Sequence, residues 1–362
     1  MRPLTALVLI AFLTACGTKE AAKEPAAPSG LRSLPGLEPP HLVVTHPANG
    51  VASGDVFLAQ KGKGKKGGPV IADDRGRIIW YHQLEPPVEA TDFRTQTYQG
   101  KPVLTWWEGR ISKAGVGRGS YVVYDSSYRR IASVRAGHGL DGDLHEFELT
   151  PRGTAFITVY HEVPADLTSV GGPKHGFAYD SVVQEIDVAT GRVAFEWRSI
   201  GHVPFTESAQ AHREPARHAT KKRPLDYFHV NSIADAPGGD ILISARNTNT
   251  IYELARDGHI VWRLGGKRSD FGPPAAVKFA FQHNARLHPG GLLTLFDNGS
   301  TPKVEPESRP LVLRLDLARR RATIVKSFVH PQHLSSPFEG DLQLLPDGGA
   351  LVGWGGVRRV SE

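Results

Sequence analysis

The chain has 362 residues, with 43 Lys and Arg against 37 Asp and Glu, a net charge of +6 and one cysteine. A single cysteine excludes a disulfide within the chain and any cysteine-built metal cage. The basic excess raises the question of a nucleic-acid partner. The densest basic runs, Lys61–Lys66 and Lys221–Arg223, sit in Gly-rich or Pro-flanked loops without interleaved aromatics, so they read as solvated and no nucleic-acid partner is expected.

In chain order, residues 1–15 carry one positive charge at Arg2 and an apolar run over Leu4–Leu13. That run is too short to span a bilayer and has the layout of an export signal. Leu13-Thr14-Ala15-Cys16 resembles a bacterial lipobox, so Cys16 is expected to become a lipidated first residue. A lipid chain anchors a protein without spanning the membrane. The expected address is therefore extracytoplasmic or periplasmic, on the outer face of the cell membrane or on the outer membrane. Residues 16–40, rich in Ala, Pro, Lys and Glu, read as a flexible tether.

From residue 41 to 362 the pattern is that of repeated β-hairpins. Asp55–Gln60 and Val70–Gln83 look like a partial first copy. Five turn-centred hairpins follow: Phe93–Trp107, His145–Tyr160, His229–Arg246, His283–Asp297 and Gly340–Trp354. Their turns all carry Gly, most with Pro and one with Asp, in the manner of hairpin connections. A second hairpin follows each of the first four, at Tyr121–Val134, Val182–Arg198, Thr250–Leu264 and Leu311–Phe328. Irregular repeats of about 50 residues, each able to form four strands, predict an all-β protein, a six-bladed β-propeller. The sixth module is left without its second hairpin, so the last blade reads as truncated. Ser199–Pro224 is an insertion rich in His, Arg and Pro, expected to cover one face. Trp106 and Trp107 end a strand, where alternation would point one inward and one outward; they fit either packing between blades or a stacking surface for an aromatic ligand.

Three module starts carry the same residue: His145, His229 and His283. Equivalent positions near the inner strands of a propeller converge on its axis. Folding the third hairpin about Gly238 brings His229 opposite Arg246 or Asn247. Val159 or Tyr160 is expected opposite His145, and Asp297 about opposite His283. Three imidazoles and a guanidinium can bind and react with an anion, the imidazole as nucleophile or acid–base and Arg246 as a fork for oxygens. They can also form a metal site, although Arg246 disfavours a second cation. A propeller that binds anionic or aromatic ligands without catalysis is a third reading.

The segments DFRTQTYQGKPVLTWWEG, DLHEFELTP, HVNSI with SAR, WRLGG, FQHNARL and LFDNG, in this order, resemble the arylsulfotransferase family, in its bacterial and fungal branch related to PAPS-independent aryl-sulfate sulfotransferases. The resemblance implies a six-bladed propeller with its site at the central channel. It also implies transfer of a sulfuryl group from an aryl sulfate donor to a phenolic acceptor through a sulfohistidine. By the same resemblance His283 is the sulfohistidine position, with His229, Arg246 and His145 as the supporting anion-binding positions. No cofactor and no metal are implied, since the aryl sulfate is itself the donor. The chain departs from the better-known periplasmic enzymes in lacking a disulfide, in leaving little room for their N-terminal β domain, and in the short sixth module.

Overall fold

Turn chemistry sets the strand pairs in the structure, a computed structural model that describes residues 36–61, 66–211, 214–272 and 277–362. The export segment, Cys16 and most of the tether lie outside the described residues. At Pro237-Gly238-Gly239 both glycines adopt left-handed φ, 82° and 90°, a backbone state that only glycine enters without steric cost. The chain therefore doubles back there and pairs Asp235 with Ile241 and Val230 with Ala245.

Six antiparallel sheets result, each an up-and-down meander. The first holds β1 (Val56–Gln60), β2 (Gly68–Ala72) and β3 (Ile78–Tyr81). The second holds β4 (Glu89–Tyr98), β5 (Lys101–Ile111), β6 (Gly117–Tyr124) and β7 (Arg130–Val134). The third holds β8 (Phe147–Leu149), β9 (Thr154–Ala165), β10 (Gly176–Asp187) and β11 (Val193–Arg198). The fourth is β12 (Val230–Asp235), β13 (Ile241–Ala245), β14 (Thr250–Leu254) and β15 (Ile260–Gly265). The fifth is β16 (His283–His288), β17 (Leu292–Asp297), β18 (Arg309–Asp316) and β19 (Arg321–Ser327). The sixth is β20 (Asp341–Leu344), β21 (Ala350–Gly353) and β22 (Val360–Ser361). The fold is an all-β six-bladed propeller. Blades one and six have three strands each; in the sixth, Val360 and Ser361 add a third strand to the hairpin, where the sequence suggested that only one hairpin would form.

Middle strands are buried along their whole length, as in β13 and β14, whereas outer β19 is almost wholly exposed. A blade is covered on both faces by its neighbours, so its inner strands read as continuous apolar runs rather than alternating ones. The same reason buries both Trp106 and Trp107. Trp106 packs with Phe93, Trp80 and Tyr124, and Trp107 donates from its indole N–H to Gly142 O at 3.0 Å. Neither offers a stacking surface to a ligand. Apolar wedges fill the space between successive blades: Ile71 with Trp106, Trp107 with Phe147, Phe156 with Ile243, Leu242 with Leu295, and Phe296 with Leu342. Between blades six and one, two polar contacts join the described residues. Lys61 pairs with Glu339, and Ala52 N–H donates to a Glu362 carboxylate oxygen at 2.6 Å.

At the axis, first strands of several blades are tied by one buried carboxylate. Glu146 accepts from Arg94, from Arg286 Nη2 at 2.7 Å and from Ile233 N–H at 3.1 Å. Burial alone would raise this carboxyl, but the Arg286 and Arg94 guanidiniums hold it below its ordinary value, so it is ionised. Glu146→Ala leaves two buried guanidiniums without their shared partner. Breaking a buried ion pair from one side costs about 3–5 kcal/mol. Urea denaturation of Glu146→Ala is expected to show a loss of this size with an unchanged slope.

Candidate active site

The left-handed turn residue that begins blade four also aims the first histidine. His229 has φ 60°, an uncommon conformation that histidine enters more readily than most side chains, and it sits just ahead of β12. Its carbonyl accepts from Arg246 N–H at 2.9 Å, so the two residues stand side by side as the hairpin geometry suggested. His145 likewise precedes its strand β8. Asp143 N–H bonds to Thr158 O across that hairpin, and the Tyr160 ring lies 5.7 Å from the His145 ring. His283 opens β16.

The four sequence-selected residues converge in one largely buried cluster. His229 is 1% and His283 5% exposed. The Nε2 atoms of His145 and His229 lie 3.3 Å apart. Arg246 Nη2 is 3.2 Å from His229 Nδ1, and its guanidinium lies over the Phe281 ring at 4.3 Å from the centroid. Phe281 is itself held in a left-handed conformation, φ 62°, by Asn249 Oδ1, which accepts its N–H at 2.8 Å. A bulky residue at positive φ is strained, and such strain persists where surrounding structure holds it. Here it holds an aromatic face under the cation.

The protonation of His283 follows from its neighbours. Asn298 Nδ2 donates to Ser336 O and to Glu339 O, both at 2.8 Å. Its Oδ1 must then face His283 Nδ1, 2.7 Å away, as acceptor. His283 Nδ1 therefore carries the proton and Nε2 keeps its lone pair, which among the described residues accepts from Glu339 N–H at 3.3 Å. Burial first, and the Arg246 charge second, hold His283 well below the usual imidazole range. Its lone pair is thus available at neutral pH. Burial and Arg246 also bring His229 down to about 4, against the pull of Asp226.

Sequence reasoning placed Asp297 opposite His283, and the register is one residue different. His283 pairs with Phe296 across a bulge, and the side-chain partner is Asn298. Asp297 instead accepts from Ala280 N–H and Gly299 N–H. Two carboxylates went unnoticed: Asp143 bonds His145 Nδ1, and Asp226 Oδ2 lies 2.5 Å from His229 Nδ1. The signal was present as an Asp two or three residues ahead of each histidine, in DLH and DYFH. Gly340, the blade-six counterpart of the histidines, is fixed by packing: a Cβ there would meet the Phe296 ring at 2.4 Å. The insertion after β11 packs its Val203, Ala211, Ala216 and Ala219 into the wedge between blades three and four. Among the described residues no three His, Cys, Asp or Glu side chains converge as a metal-holding group.

The arrangement presents one neutral imidazole lone pair, one fixed guanidinium and two further imidazoles backed by carboxylates. That is equipment for nucleophilic attack on an anionic, oxygen-rich centre. A sequence model described as arylsulfotransferase (ASST) matches residues 94–362. No curated protein sequence matches the chain. Among solved structures the chain is similar to a Bacteroides caccae protein of unknown function, with 15% identity, TM-score 0.46, and coverage of 83% of this chain and 82% of that one. It is also similar to a periplasmic gluconolactonase of Pseudomonas aeruginosa, with 15% identity, TM-score 0.46, and coverage of 82% and 75%. A streptogramin B lyase matches at 11% identity and TM-score 0.39, over 83% of this chain and 86% of that one.

Proposed function

Because the chain belongs to the arylsulfotransferase (ASST) family, we propose that it moves a sulfuryl group from an aryl sulfate to a phenol through a sulfohistidine at His283. The observation that carries this reading is the His283 Nε2 lone pair, fixed by Asn298 and lying under the influence of the Arg246 charge. Sulfuryl transfer, like phosphoryl transfer, is an in-line displacement with charge on three peripheral oxygens. Positioning and cationic donors supply most of what such a step needs. His283 Nε2 attacks sulfur and the phenolate leaves. Arg246, its plane set by Phe281, holds the sulfonate oxygens. His229 or His145 gives the phenolate a proton and takes one from the acceptor phenol.

Mass spectrometry of protein incubated with an aryl sulfate tests the reading. Sulfuryl mass is expected on the peptide bearing His283, with turnover when a phenol is added. A depressed pKa leaves an imidazole unprotonated above it, so labelling should stay level from about pH 8 down to about pH 6, below the ordinary histidine midpoint. Absence of label and of turnover with a chromogenic aryl sulfate would favour a ligand-binding propeller. Lipidation is proposed from sequence alone: Cys16→Ala should move the exported protein from the detergent phase to the aqueous phase on partition, and equal partitioning of both forms refutes the anchor.

A further inference from the structure

The WRLGG segment, Trp262–Gly266, has no part in the histidine cluster, and its two glycines border a different hollow. Gly265 ends β15 and Gly266 follows it; both line a cavity of about 290 Å³ between blades four and five. None of His145, His229, Arg246 and His283 lines this cavity. The backbone comes too close to its surroundings here for any side chain. A Cβ on Gly265 would meet the Phe279 ring at 2.6 Å, and one on Gly266 would meet Thr250 Oγ1 at 2.0 Å.

The wall is mostly apolar, and its charge is of one sign. Leu264, Phe271, Val277, Phe279, Pro302 and Val304 supply the apolar surface. The charged residues in the lining are Lys267 and Lys278, with no aspartate or glutamate among them. Lys267 Nζ donates to Thr206 O and to Ser208 O, both at 2.8 Å. Two carbonyls orient an ammonium without neutralising it, and its third hydrogen remains to be given. Glu207, the residue between those carbonyls, pairs instead with Arg263 and Arg268. A concave apolar wall with a few placed polar groups is the form of a small-molecule site. One ring bearing one anionic group meets both demands, the ring against the phenylalanines and the anion at the lysines. A bare inorganic anion would leave the apolar wall uncovered, and a neutral hydrocarbon would leave the ammoniums unused.

The cavity also touches the reactive centre from behind. Thr248 and Asn249 line it, and they complete a single turn that begins at Arg246, whose carbonyl accepts from Asn249 N–H at 3.2 Å. Asn249 Oδ1 accepts from Phe281 N–H, so one wall residue holds both the turn carrying the guanidinium and the ring beneath it. Ala209, on the insertion after β11, lines the cavity too, and its N–H donates to Asn247 O at 2.8 Å.

We infer that this cavity is a binding site for a small aromatic anion, separate from the histidine cluster, and that its occupant acts on Arg246 through Asn249. An anion in the cavity and an anion on Arg246 are like charges one turn of chain apart, so each weakens the hold on the other. The binding site rests on the cavity alone; its effect on turnover rests on the function proposed above.

The probe is para-fluorobenzenesulfonate, followed by fluorine NMR on the full chain. Its sulfur is bonded to carbon, so it carries no sulfuryl group that can be transferred. A bound resonance is expected that persists in Arg246→Ala and disappears in Val304→Trp, where an indole takes the volume of the cavity. Lys278 is exposed, so Lys278→Met keeps the test decisive if Val304→Trp does not fold. That variant should weaken binding by about threefold, the worth of one exposed charge pair. Neutral para-fluorotoluene should not compete; competition at equal concentration would overturn the anionic assignment. A bound resonance lost in Arg246→Ala, or one with unchanged affinity in Lys278→Met and in folded Val304→Trp, would overturn the site. A kinetic arm reads the link to Arg246. With nitrophenyl sulfate as donor, the probe should inhibit Val304→Trp less than wild type, because only competition at Arg246 is left. Equal inhibition of both proteins would overturn the link. Binding in the cavity with no sulfuryl transfer from any donor would support this site and remove the proposed reaction, and transfer without binding in the cavity would do the reverse.

Discussion

His283→Ala is expected to bring sulfuryl transfer down to the uncatalysed background and to remove the label from the His283 peptide. No second group in the cluster can take its place. The His145 and His229 Nε2 atoms lie against each other at 3.3 Å in rings set edge to face, and Arg246 has no lone pair to offer. The variant leaves Asn298 Oδ1 without its partner, a loss of about 1–3 kcal/mol for a buried acceptor. That is a fraction of the stability of an ordinary domain, so the protein should still fold, and a thermal melt beside the assay separates lost chemistry from lost structure. Transfer at near-normal rate by a folded His283→Ala protein refutes the sulfohistidine.

Arg246→Ala should give a slow enzyme rather than a dead one. Removing one preorganised donor from a developing anion costs on the order of 10²–10³ in kcat, and His283 would still attack. Arg246→Lys is expected to recover little. A lysine has neither the planar fork for two oxygens nor the flat face that stacks on Phe281. Phe281→Leu should fall between wild type and Arg246→Ala, because it frees the guanidinium plane without removing the charge. Steady-state rates with a nitrophenyl sulfate donor suffice to rank the three; full activity in Arg246→Ala would exclude it from the sulfonate site.

The convergence of His145, His229, Arg246 and His283 was legible because a repeat fold turns equal module positions into neighbours. Hairpin turns were legible for a related reason, since Gly238 and Gly239 announce a left-handed backbone in the sequence itself. Asn298 was missed by one residue because the bulge after His283 shifts the pairing, and a bulge has no mark in the pattern of apolar residues. Trp106 and Trp107 misled because alternation applies to a sheet with one wet face, and a blade has none in its middle strands. The Arg94–Glu146–Arg286 tie was invisible for another reason. Its members come from different blades, and each alone reads as an ordinary charge on a strand. Asp143 and Asp226 stood in plain view, two and three residues ahead of their histidines, but an Asp beside a loop reads first as a turn residue.

Of the junctions around the ring, those filled by apolar wedges tighten as water is excluded, whereas the one joining Lys61 to Glu339 is half open to solvent, with side chains 28% and 40% exposed. Dissolved ions screen such a contact and leave the wedges untouched or stronger. The same Glu339 offers its N–H to the reactive nitrogen of His283. The clasp of the ring and the nucleophile are therefore one residue apart in their dependencies, so salt should disturb the chemistry before it disturbs the fold. Activity lost reversibly in sodium chloride, at a concentration where the melting temperature has not fallen, would be the behaviour of a ring whose working parts are hung on its loosest joint.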